Sequence, residues 1–453
     1  IRDRGYAVLE NLVEGGYRGT VYPINPTADE VLGHKAYASV LDVEDPIDLG
    51  IIVIPYSIVP NVLRECGEKG IPAVIVISAG FREAGRDGLE RELELIDIAK
   101  EYGIRLIGPN CLGVIDTFTP INASFAAGTP PKGPMGFMSQ SGALGTAVLD
   151  IALAGTLGMS KFVSLGNKAD VDEIDLLEAW QDDKDTRVIL MYSEGMSNGQ
   201  KFIDVARKVT RVKPVVAIKS GVTQSGSRAV SSHTGALAGS EQAYEAAFRQ
   251  AGVLRAGSMQ ALFDMALAIG YQPPLKGDRI AVVTNAGGPG ILATDAIERA
   301  GLSMARFESH TIKELEEKLP DAASAANPVD VLGDARSDRY YFALEKVAAD
   351  PNVDGLLVVL TPQAMTEIDE TARAVGELSQ KIDIPVLACF MGEAKISTGV
   401  DILQEYDVPN YNFPERAAQA FKAMSEYRGI KNRPEAEYVL SLIHISEPTR
   451  LRR

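Results

Sequence analysis

Short apolar runs alternate with longer amphipathic segments along almost the whole chain. Two of the amphipathic segments, residues 60–70 and 88–103, carry apolar residues at helical spacing. The apolar runs are rich in β-branched residues, which is typical of buried strands. Strands of this kind, joined by crossover helices, predict a parallel sheet that is covered on both faces. In the first part of the chain the runs are GTVYPIN (19–25), LGIIVIP (49–55), PAVIVISAG (72–80) and IRLIGPN (104–110).

Two junctions rich in proline and glycine divide this alternating pattern into three units. GTPPKGP (128–134) follows the first unit, and GYQPPLKGD (270–278) follows the second. We therefore predict domains at residues 1–128, 129–275 and 276–430, each of the usual size for an α/β domain. The predicted fold class is α/β, with three parallel-sheet domains.

The second and third units resemble each other. GPMGFMSQSGALGTAVLDIALAGTLGMS (133–160) aligns with GDRIAVVTNAGGPGILATDAIERAGLSM (277–304). Each copy reads as a strand, then a turn of small residues, then a helix. A duplicated α/β unit explains this similarity.

Composition and charge restrict the partners and sites to be expected. The formal net charge of −16 argues against a nucleic acid or an anionic membrane as partner. No apolar run reaches the roughly 20 residues needed to cross a bilayer. The cysteines, Cys66, Cys111 and Cys389, are far apart and suggest neither a disulfide framework nor a metal site. We therefore predict no metal site on this chain and a reducing, cytoplasmic location.

The turns that open the first helix of the second and third units carry candidate phosphate-binding groups. Small residues let a phosphate approach the backbone, free N–H groups point at it, and the helix dipole favours its charge. One glycine-rich turn is also typical of an ordinary tight connection, but two similar turns favour a single anion shared between both helix ends. The candidates are Ser139, Gln140, Ser141 and Gly142 in the second unit, and Asn285, Ala286, Gly287 and Gly288 in the third.

His233 is a candidate nucleophile. It lies in a long segment rich in glycine, serine and threonine (220–242), and long loops without secondary structure are usually functional. A neutral imidazole can attack phosphorus, and the phosphohistidine that forms is a high-energy donor to ADP. A carboxylate bonded to the other ring nitrogen would fix the tautomer and support the cation. Glu194 is the candidate, since it ends a predicted strand, and strand carboxyl ends line the crevice of parallel sheets.

Taken together, the motifs resemble the α subunit of NDP-forming acyl-CoA synthetases, the ADP-forming acetate–CoA ligase group, which is related to succinyl-CoA synthetase. The resemblance extends in order over residues 5–430. The motifs that carry it are YPINP (22–26), GPNCLG (108–113), MSQSGALG (138–145), SLGNKADVDEIDLLEAW (164–180), SSHTGALAG (231–239), TNAGGPG (284–290) and NPVDVLGDA (327–335).

The resemblance implies an N-terminal Rossmann-type CoA-binding domain followed by two related flavodoxin-like ligase domains. It implies the reversible reaction acyl-CoA + ADP + phosphate = carboxylic acid + ATP + CoA, through acyl phosphate and phosphohistidine intermediates. In that pattern His233 is phosphorylated, Glu194 is its partner, and the turns at 139–142 and 285–288 hold the transferred phosphate.

The resemblance also indicates residues that would bind CoA. Each lies at or just after a predicted strand end, where a doubly wound domain binds nucleotides. These residue types also favour turns, so turn formation is the alternative role. The residues are Asn25, Pro26, Pro55, Ser57, Ser78, Ala79, Gly80 and Asn110. Thr27 departs from the family pattern: relatives often have lysine at this position, so one contact with a CoA phosphate is not expected here.

The resemblance implies further parts of such an enzyme, which we expect outside this sequence. We expect the first strand and the glycine-rich turn for the CoA diphosphate to precede Ile1. The sequence contains no ATP-grasp domain, so the resemblance implies that ADP or ATP, with Mg²⁺, binds an ATP-grasp β component, either separate or fused. A hetero-oligomer with that component is expected. Residues 439–453 include LSLIHISEPTR, which we interpret as translated sequencing adapter and leave out of the fold.

Two other functions remain open on the sequence alone. A CoA- or acyl-CoA-sensing regulatory module would keep the CoA-binding domain and make no use of His233 or Glu194. A CoA-dependent lyase related to ATP-citrate lyase would use similar domains, but it would require a citrate-synthase-like helical region that the sequence does not contain.

Overall fold

The computed structural model describes residues 4–155, 157–226, 228 and 240–434. Within these residues the strands form four sheets, of two, three, seven and five strands. The smallest is an antiparallel pair, β1 (Glu30–Val31) and β2 (His34–Lys35). The three larger sheets follow one another along the chain, as the alternating pattern predicts.

The first large sheet is parallel, and helices cover both of its faces. In its central strand Val74 and Val76 pack into one apolar cluster with the second and third helices, whereas Ile75 packs into another with Val8 and Leu12 of the first helix. Successive side chains of a strand point to opposite faces, which explains why this run is apolar throughout. The elements are α1 (Arg4–Glu14), β3 (Leu49–Ile52), α2 (Val59–Lys69), β4 (Ala73–Val76), α3 (Arg86–Tyr102) and β5 (Arg105–Ile107), with strand order β3-β4-β5.

The second sheet has seven strands in the order β12-β11-β10-β8-β9-β6-β7. The run from β12 to β9 is parallel. Its elements are β6 (Gly113–Asp116), β7 (Ile121–Ser124), β8 (Lys132–Ser139), α4 (Gly142–Leu153), β9 (Met159–Ser164), α5 (Glu173–Gln181), β10 (Val188–Ser193), α6 (Gly199–Thr210), β11 (Val215–Lys219), α7 (Glu241–Ala251), β12 (Leu254–Arg255) and α8 (Met259–Tyr271).

The sequence pattern did not predict strands β6 and β7. They form an antiparallel hairpin that continues the second sheet beyond β9, with Val114 opposite Val163 and Ile115 opposite Phe162. Both strands precede the domain boundary that we predicted near residue 128, yet they are hydrogen-bonded to the sheet that follows it. The boundary itself stays a prediction.

The third sheet repeats the arrangement of the second. Its order is β14-β13-β16-β17, with β15 also pairing with β13, and all of these pairings are parallel. The first strand of each unit therefore lies between the second strand and a later one. The elements are β13 (Arg279–Thr284), α9 (Gly287–Arg299), β14 (Ser303–Met304), α10 (Ser309–Lys318), β15 (Val329–Asp330), α11 (Ser337–Ala348), β16 (Gly355–Leu360), α12 (Ile368–Ser379), β17 (Val386–Phe390), α13 (Ser397–Glu405) and α14 (Pro414–Lys431).

Helices α8 and α14 join the second unit to the third. Ala423 of α14 packs into the core below the second sheet, and Ala268 of α8 packs into the core of the third. Between the helices, Asp264 is buried and accepts hydrogen bonds from Nε and Nη2 of Arg416, at 2.8 and 2.6 Å. The hydroxyl of the buried Tyr411 donates to the backbone oxygen of Asp264 at 2.9 Å. This junction therefore combines apolar contact with an ion pair whose carboxylate is buried and whose guanidinium is half-buried.

Residues 165–171, which follow β9, run along the outer edge of β5 and join the first unit to the second. The backbone N–H of Val171 donates to the oxygen of Leu106 at 3.1 Å, and that of Ala169 donates to the oxygen of Gly108 at 3.0 Å. The N–H of Leu106 donates to the carboxylate of Asp170 at 2.8 Å. The edge of the first sheet is thereby covered by a segment of the second unit.

None of the helices in the described part of the chain has the length and apolar character needed to cross a membrane.

Candidate functional site

The parallel strands of the second sheet define where a ligand crevice opens. Read from β9 to β12, they are the second, first, third, fourth and fifth strands of the unit. In a sheet of this order the connections after the first and third strands leave on opposite faces, and ligands bind between the carboxyl ends of these two strands. Residues 139–142 lie at the end of β8, and Glu194 is the first residue after β10. The structure thus brings two of the predicted groups to one edge of the sheet.

Gln140 connects the turn after β8 to the loop after β10. Its Oε1 accepts hydrogen bonds from the backbone N–H groups of Glu194 and Gly195, the second at 3.0 Å. Its own N–H donates to the oxygen of Tyr192 at 3.2 Å. The amide oxygen of Gln140 therefore positions the Glu194 backbone, a role that sequence reasoning did not foresee.

The two serines of this turn shape the backbone. Ser139 is fully buried, and its hydroxyl donates to the oxygen of Ser141 at 2.9 Å and accepts from its N–H at 3.2 Å. Ser141 is the N-cap of α4 and accepts from the N–H of Leu144. A Cβ added to Gly142 would come no closer than 3.8 Å to the rest of the protein. The first turn of α4 therefore presents its backbone N–H groups without a side chain of its own in the way.

The turn after β13 repeats this arrangement in the third unit. Asn285 takes the place of Gln140, and its Oδ1 accepts from the N–H and the hydroxyl of Thr361, at 2.9 and 3.0 Å, just after β16. The hydroxyl of Thr284 donates to the oxygen of Ala286 at 3.0 Å and accepts from its N–H at 3.1 Å. The duplicated sequence thus produces a similar, though not identical, pattern of hydrogen bonds in both units.

The helix after the second turn has a more open N-terminus. Its N-cap, Ala286, has no side chain that can accept a hydrogen bond from the first turn. A Cβ on Gly288 would meet no heavy atom within 4 Å, and one on Gly287 would lie 3.5 Å from the carboxylate of Asp330. Both turns therefore leave room beside a helix N-terminus. That they share one phosphate stays a prediction.

His233 lies outside the described residues, so its approach to Glu194 also stays a prediction. Glu194 itself is half-buried.

Two lysines lie next to the loop after β10, and neither was among the predicted site residues. Nζ of Lys168 donates to the oxygen of Gly195 at 2.7 Å and to the carboxylate of Glu173 at 2.8 Å. Lys219 ends β11, pairs in register with Ser193, and its Nζ lies 4.6 Å above the ring of Tyr244. Burial lowers the pKa of Lys219, while the carboxylates of Glu241 and Glu194 act against this.

A signal for Lys219 exists in the sequence. Lys219 is the one charged residue in the apolar run 214–219 (PVVAIK), and a cation at a buried strand end marks a possible anion site. Lys168 lies within the motif SLGNKADVDEIDLLEAW (164–180), but its contacts with Gly195 and Glu173 could not be predicted from the sequence, because they depend on the tertiary structure.

The candidate CoA residues of the first sheet come together at its carboxyl edge. Pro55 and Ser57 follow β3, Ser78 lies two residues beyond the end of β4, and Asn110 follows β5. The N–H of Asn110 donates to the oxygen of Ser78 at 2.9 Å. Ser78 is buried, and its hydroxyl donates to the oxygen of Ile54, so this side chain holds neighbouring strand ends together.

Gly80 lies close to an aromatic ring. Its φ is +111°, and a Cβ there would fall 2.5 Å from the ring of Tyr56. The guanidinium of Arg91 lies 4.4 Å above the same ring, and its Nη1 donates to the oxygen of Gly80 at 2.8 Å. Neither Tyr56 nor Arg91 was predicted, because the contact joins distant parts of the sequence. The neighbouring Ala79 is exposed.

Asn25 and Pro26 lie on a separate segment before the small hairpin. The Oδ1 of Asn25 accepts from the N–H and the hydroxyl of Thr27, both at 2.9 Å, which is an Asx-turn. The N–H of Asn25 donates to the oxygen of Tyr37. The turn-forming alternative therefore accounts for the side chain of Asn25, and a CoA contact by either residue stays a prediction.

No group of three or more histidine, cysteine, aspartate and glutamate side chains in the described part of the chain is arranged to hold a metal ion. Burial raises the pKa of Cys66 to about 11 and that of Cys111 to about 12, so these thiols are held in the neutral form.

Three family models match the chain in succession. They are described as a CoA binding domain, over residues 2–117, a succinyl-CoA ligase like flavodoxin domain, over residues 132–269, and a ligase-CoA domain, over residues 280–431. The predicted fold class, with a CoA-binding domain before two related α/β domains, is thereby confirmed. The hairpin of β6 and β7 adds two antiparallel strands to it.

Proteins of similar sequence are acid–CoA ligases. The chain is 44% identical to "Acetate--CoA ligase [ADP-forming] I" of Archaeoglobus fulgidus, over 94% of this chain and 61% of that protein. It is also 44% identical to the α subunit of "Acetate--CoA ligase [ADP-forming] II" of Pyrococcus furiosus, over 93% of this chain and 92% of that subunit. The chain thus spans less than two thirds of the first relative and nearly all of the second.

A solved structure has the same fold. It is the dinucleotide-forming acetyl-coenzyme A synthetase 1 of Ca. Korarchaeum cryptofilum in complex with phosphate and ADP. The TM-score is 0.90 at 38% identity, and the match covers 94% of this chain and 92% of that one.

Proposed function

The chain belongs to the family of ADP-forming acetate–CoA ligase α subunits, and from this we propose that it catalyses acyl-CoA + ADP + phosphate = carboxylic acid + ATP + CoA, reversibly. The observation that carries the proposal is the position of Glu194. It follows β10 at the switch point of the second sheet, and Gln140 ties its backbone to the turn before α4.

In the proposed first step, phosphate displaces CoA. A phosphate oxygen attacks the thioester carbonyl carbon, the carbon–sulfur bond breaks, and the CoA thiolate leaves and takes up a proton. The product is an enzyme-bound acyl phosphate. Phosphate brings close to two negative charges, and the open first turns of α4 and α9 offer backbone N–H groups and two helix dipoles to compensate them.

In the second step, the phosphoryl group passes to His233. A ring nitrogen attacks phosphorus, the bond between phosphorus and the acyl oxygen breaks, and the carboxylic acid is released as its anion. The carboxylate of Glu194 would accept a hydrogen bond from the other ring nitrogen, which fixes the reactive tautomer and stabilises the positive charge on the ring. An oxygen of the terminal phosphate of ADP then attacks the phosphorus, the bond between nitrogen and phosphorus breaks, and ATP and the free imidazole of His233 are formed.

We propose that CoA binds at the carboxyl edge of the first sheet. The residues there include Pro55, Ser57 and Asn110, and the exposed Ala79 at the turn after β4. The guanidinium of Arg91, stacked on Tyr56 beside this turn, adds a cation suited to a phosphate group of CoA.

The nucleotide requires a second component in this proposal. ADP or ATP, with Mg²⁺, binds an ATP-grasp β component, separate or fused, in a hetero-oligomer. Mg²⁺ would neutralise phosphate charge on that component. We propose a cytoplasmic location and no nucleic-acid or membrane partner, in accordance with the net charge of −16.

Labelling of the enzyme tests the proposal. The complete enzyme, with its ATP-grasp component, is incubated with labelled phosphate and each of a panel of acyl-CoAs. We expect an acid-labile, alkali-stable label on His233 that disappears in His233→Asn and forms much more slowly in Glu194→Gln.

Label that survives His233→Asn would refute the assigned nucleophile. Tight CoA binding without any phosphoryl exchange, in the presence of the authentic partner, would instead favour a CoA-sensing module.

A further inference from the structure

The backbone of the loop after β10 is held from two sides. From one side, Gln140 accepts from the N–H groups of Glu194 and Gly195. From the other, Nζ of Lys168 donates to the oxygen of Gly195 at 2.7 Å, and the hydroxyl of Tyr244 accepts from the N–H of Met196 at 2.9 Å. Each peptide group from 194 to 196 is thus fixed by a side chain from another part of the fold.

The carboxylate of Glu194 differs from its backbone in this respect. Among the residues that the structure describes, none forms a hydrogen bond or an ion pair with it. The loop is therefore arranged to hold the backbone still while it leaves the carboxylate available.

Lys168 is itself firmly anchored. Its side chain is 10% exposed, and it pairs with Glu173, whose side chain is 2% exposed. Burial raises the pKa of Glu173, and the ammonium of Lys168 opposes this. The backbone of Lys168 has a φ of +56°, in the left-handed region that residues other than glycine seldom adopt. Such a conformation persists only where surrounding contacts determine it.

The anchoring has a consequence for function. A buried ion pair is weak evidence for stability, since well-packed apolar residues usually serve as well. The pair instead directs one N–H of the ammonium at Gly195, next to the proposed partner of the phosphorylated histidine. Displacing a reacting group by about 1 Å can cost about 100-fold in rate.

We propose that Lys168 is a positioning residue for phosphoryl transfer: anchored to Glu173, it holds the Gly195 carbonyl so that the Glu194 carboxylate meets the imidazole. This rests on the proposed function of Glu194. Lys168 acts after the acyl phosphate has formed, so it bears on the second step and not on the displacement of CoA.

Lys161 offers a control in the same unit. Its Nζ pairs with Asp116 and Asp183, at 3.1 and 3.0 Å, and its side chain is 19% exposed. Lys161 lies in β9 before its carboxyl end, whereas Lys168 follows that end. Losing its ammonium removes a half-buried ion pair from the same unit without touching the loop after β10.

The experiment compares two steps in the complete enzyme, using the acyl-CoA that the wild type turns over fastest. Formation of the alkali-stable phosphoenzyme from labelled phosphate reports the second step. Phosphate-dependent exchange of labelled CoA into acyl-CoA reports the first. For Lys168→Met we expect phosphoenzyme formation about 10- to 100-fold slower, with CoA exchange and the KM for CoA within about twofold of wild type. Lys168→Arg should recover part of the loss, and Lys161→Met should leave both rates near wild type.

Each other outcome has a defined meaning. Unchanged phosphoenzyme formation in Lys168→Met, or an equal loss in both steps, overturns the inference while the proposed function stands. So does an equal loss in Lys161→Met. If Lys168→Met fails to fold, the double variant Lys168→Met/Glu173→Gln is measured instead, because it leaves no buried carboxylate without its cation. A wild type that forms no phosphoenzyme overturns the proposed function and the inference together.

Discussion

The ion pair between α8 and α14 is expected to join the second and third units into one unfolding unit, and Arg416→Met tests this. Arg416 gives Asp264 two hydrogen bonds, and the Asp264 side chain is 6% exposed. Methionine keeps much of the apolar stem of arginine but leaves the carboxylate without its cation. Gln260 still donates to Asp264 at 3.0 Å, which is one neutral donor for a buried charge.

The magnitude follows from the burial of the pair. Removing one partner of a fully buried pair costs about 3–5 kcal/mol. The Arg416 side chain is 30% exposed, so water screens part of the interaction, and we expect a loss of about 2–3 kcal/mol in the free energy of unfolding. The double variant Asp264→Asn/Arg416→Met leaves no buried charge without a partner, so the loss in the free energy of unfolding should fall to about 1 kcal/mol.

Urea titration with two probes measures the effect. The single tryptophan, Trp180, lies on α5 and is 4% exposed, so its fluorescence reports the second unit, whereas far-ultraviolet circular dichroism reports all three units. In the wild type the two transitions should coincide. In Arg416→Met the circular dichroism should fall first, as the third unit unfolds ahead of the second. The reasoning is refuted if the two probes still coincide at the wild-type midpoint, or if the double variant is less stable than Arg416→Met.

Two further predictions concern the turns and the acid range. Gly142→Val and Gly288→Val should each lower the rate of phosphoenzyme formation sharply, because the added side chain occupies open space beside a helix N-terminus. The affinity for CoA, measured by calorimetry, should stay near that of the wild type. Gly199→Val, at the equally open start of α6, is the control, and an equal loss of phosphoenzyme formation there would contradict the role of the turns. For Asp354, burial raises the pKa of the carboxyl, but hydrogen bonds from Arg279 outweigh this and hold it below the ordinary value of 3.8. The free energy of unfolding of the wild type should therefore exceed that of Asp354→Asn by a constant amount near neutral pH, and this difference should disappear as the pH falls below 3.8 and through the lowered pKa. Urea titrations at a series of pH values measure the difference. A difference that grows on acidification would contradict the prediction.

The sequence predicted the parallel strands because their local pattern and their burial agree. Residues 72–77 read as a strand, since Val74 and Val76 face one helical layer while Ile75 and Ile77 face another. Glu194 could be predicted for a related reason, because an acidic residue that directly follows a buried apolar run must lie at the carboxyl edge of the sheet.

What the sequence could not supply are contacts between distant segments. The hairpin of β6 and β7 was missed because its strands have four residues each and gain their partner, β9, from a later part of the chain. The roles of Gln140 and Lys168 were missed for the same reason, as both depend on where the loop after β10 lies. The left-handed backbone of Lys168 has no local signal, since lysine is not a residue that favours it.

The segment 165–171 along β5 also determines where the polypeptide can be divided into fragments that fold. A recombinant fragment that ends near residue 128 would contain β5 without the strand-like cover that Val171 and Ala169 provide. Its outer row of N–H and C=O groups would be bare, and a bare strand edge pairs readily with another copy and aggregates. In the same fragment, β6 and β7 would lose the strand on which they are built. Gene rearrangements that move the first unit elsewhere in a polypeptide would thus have to carry this segment along or supply another cover for the edge of β5.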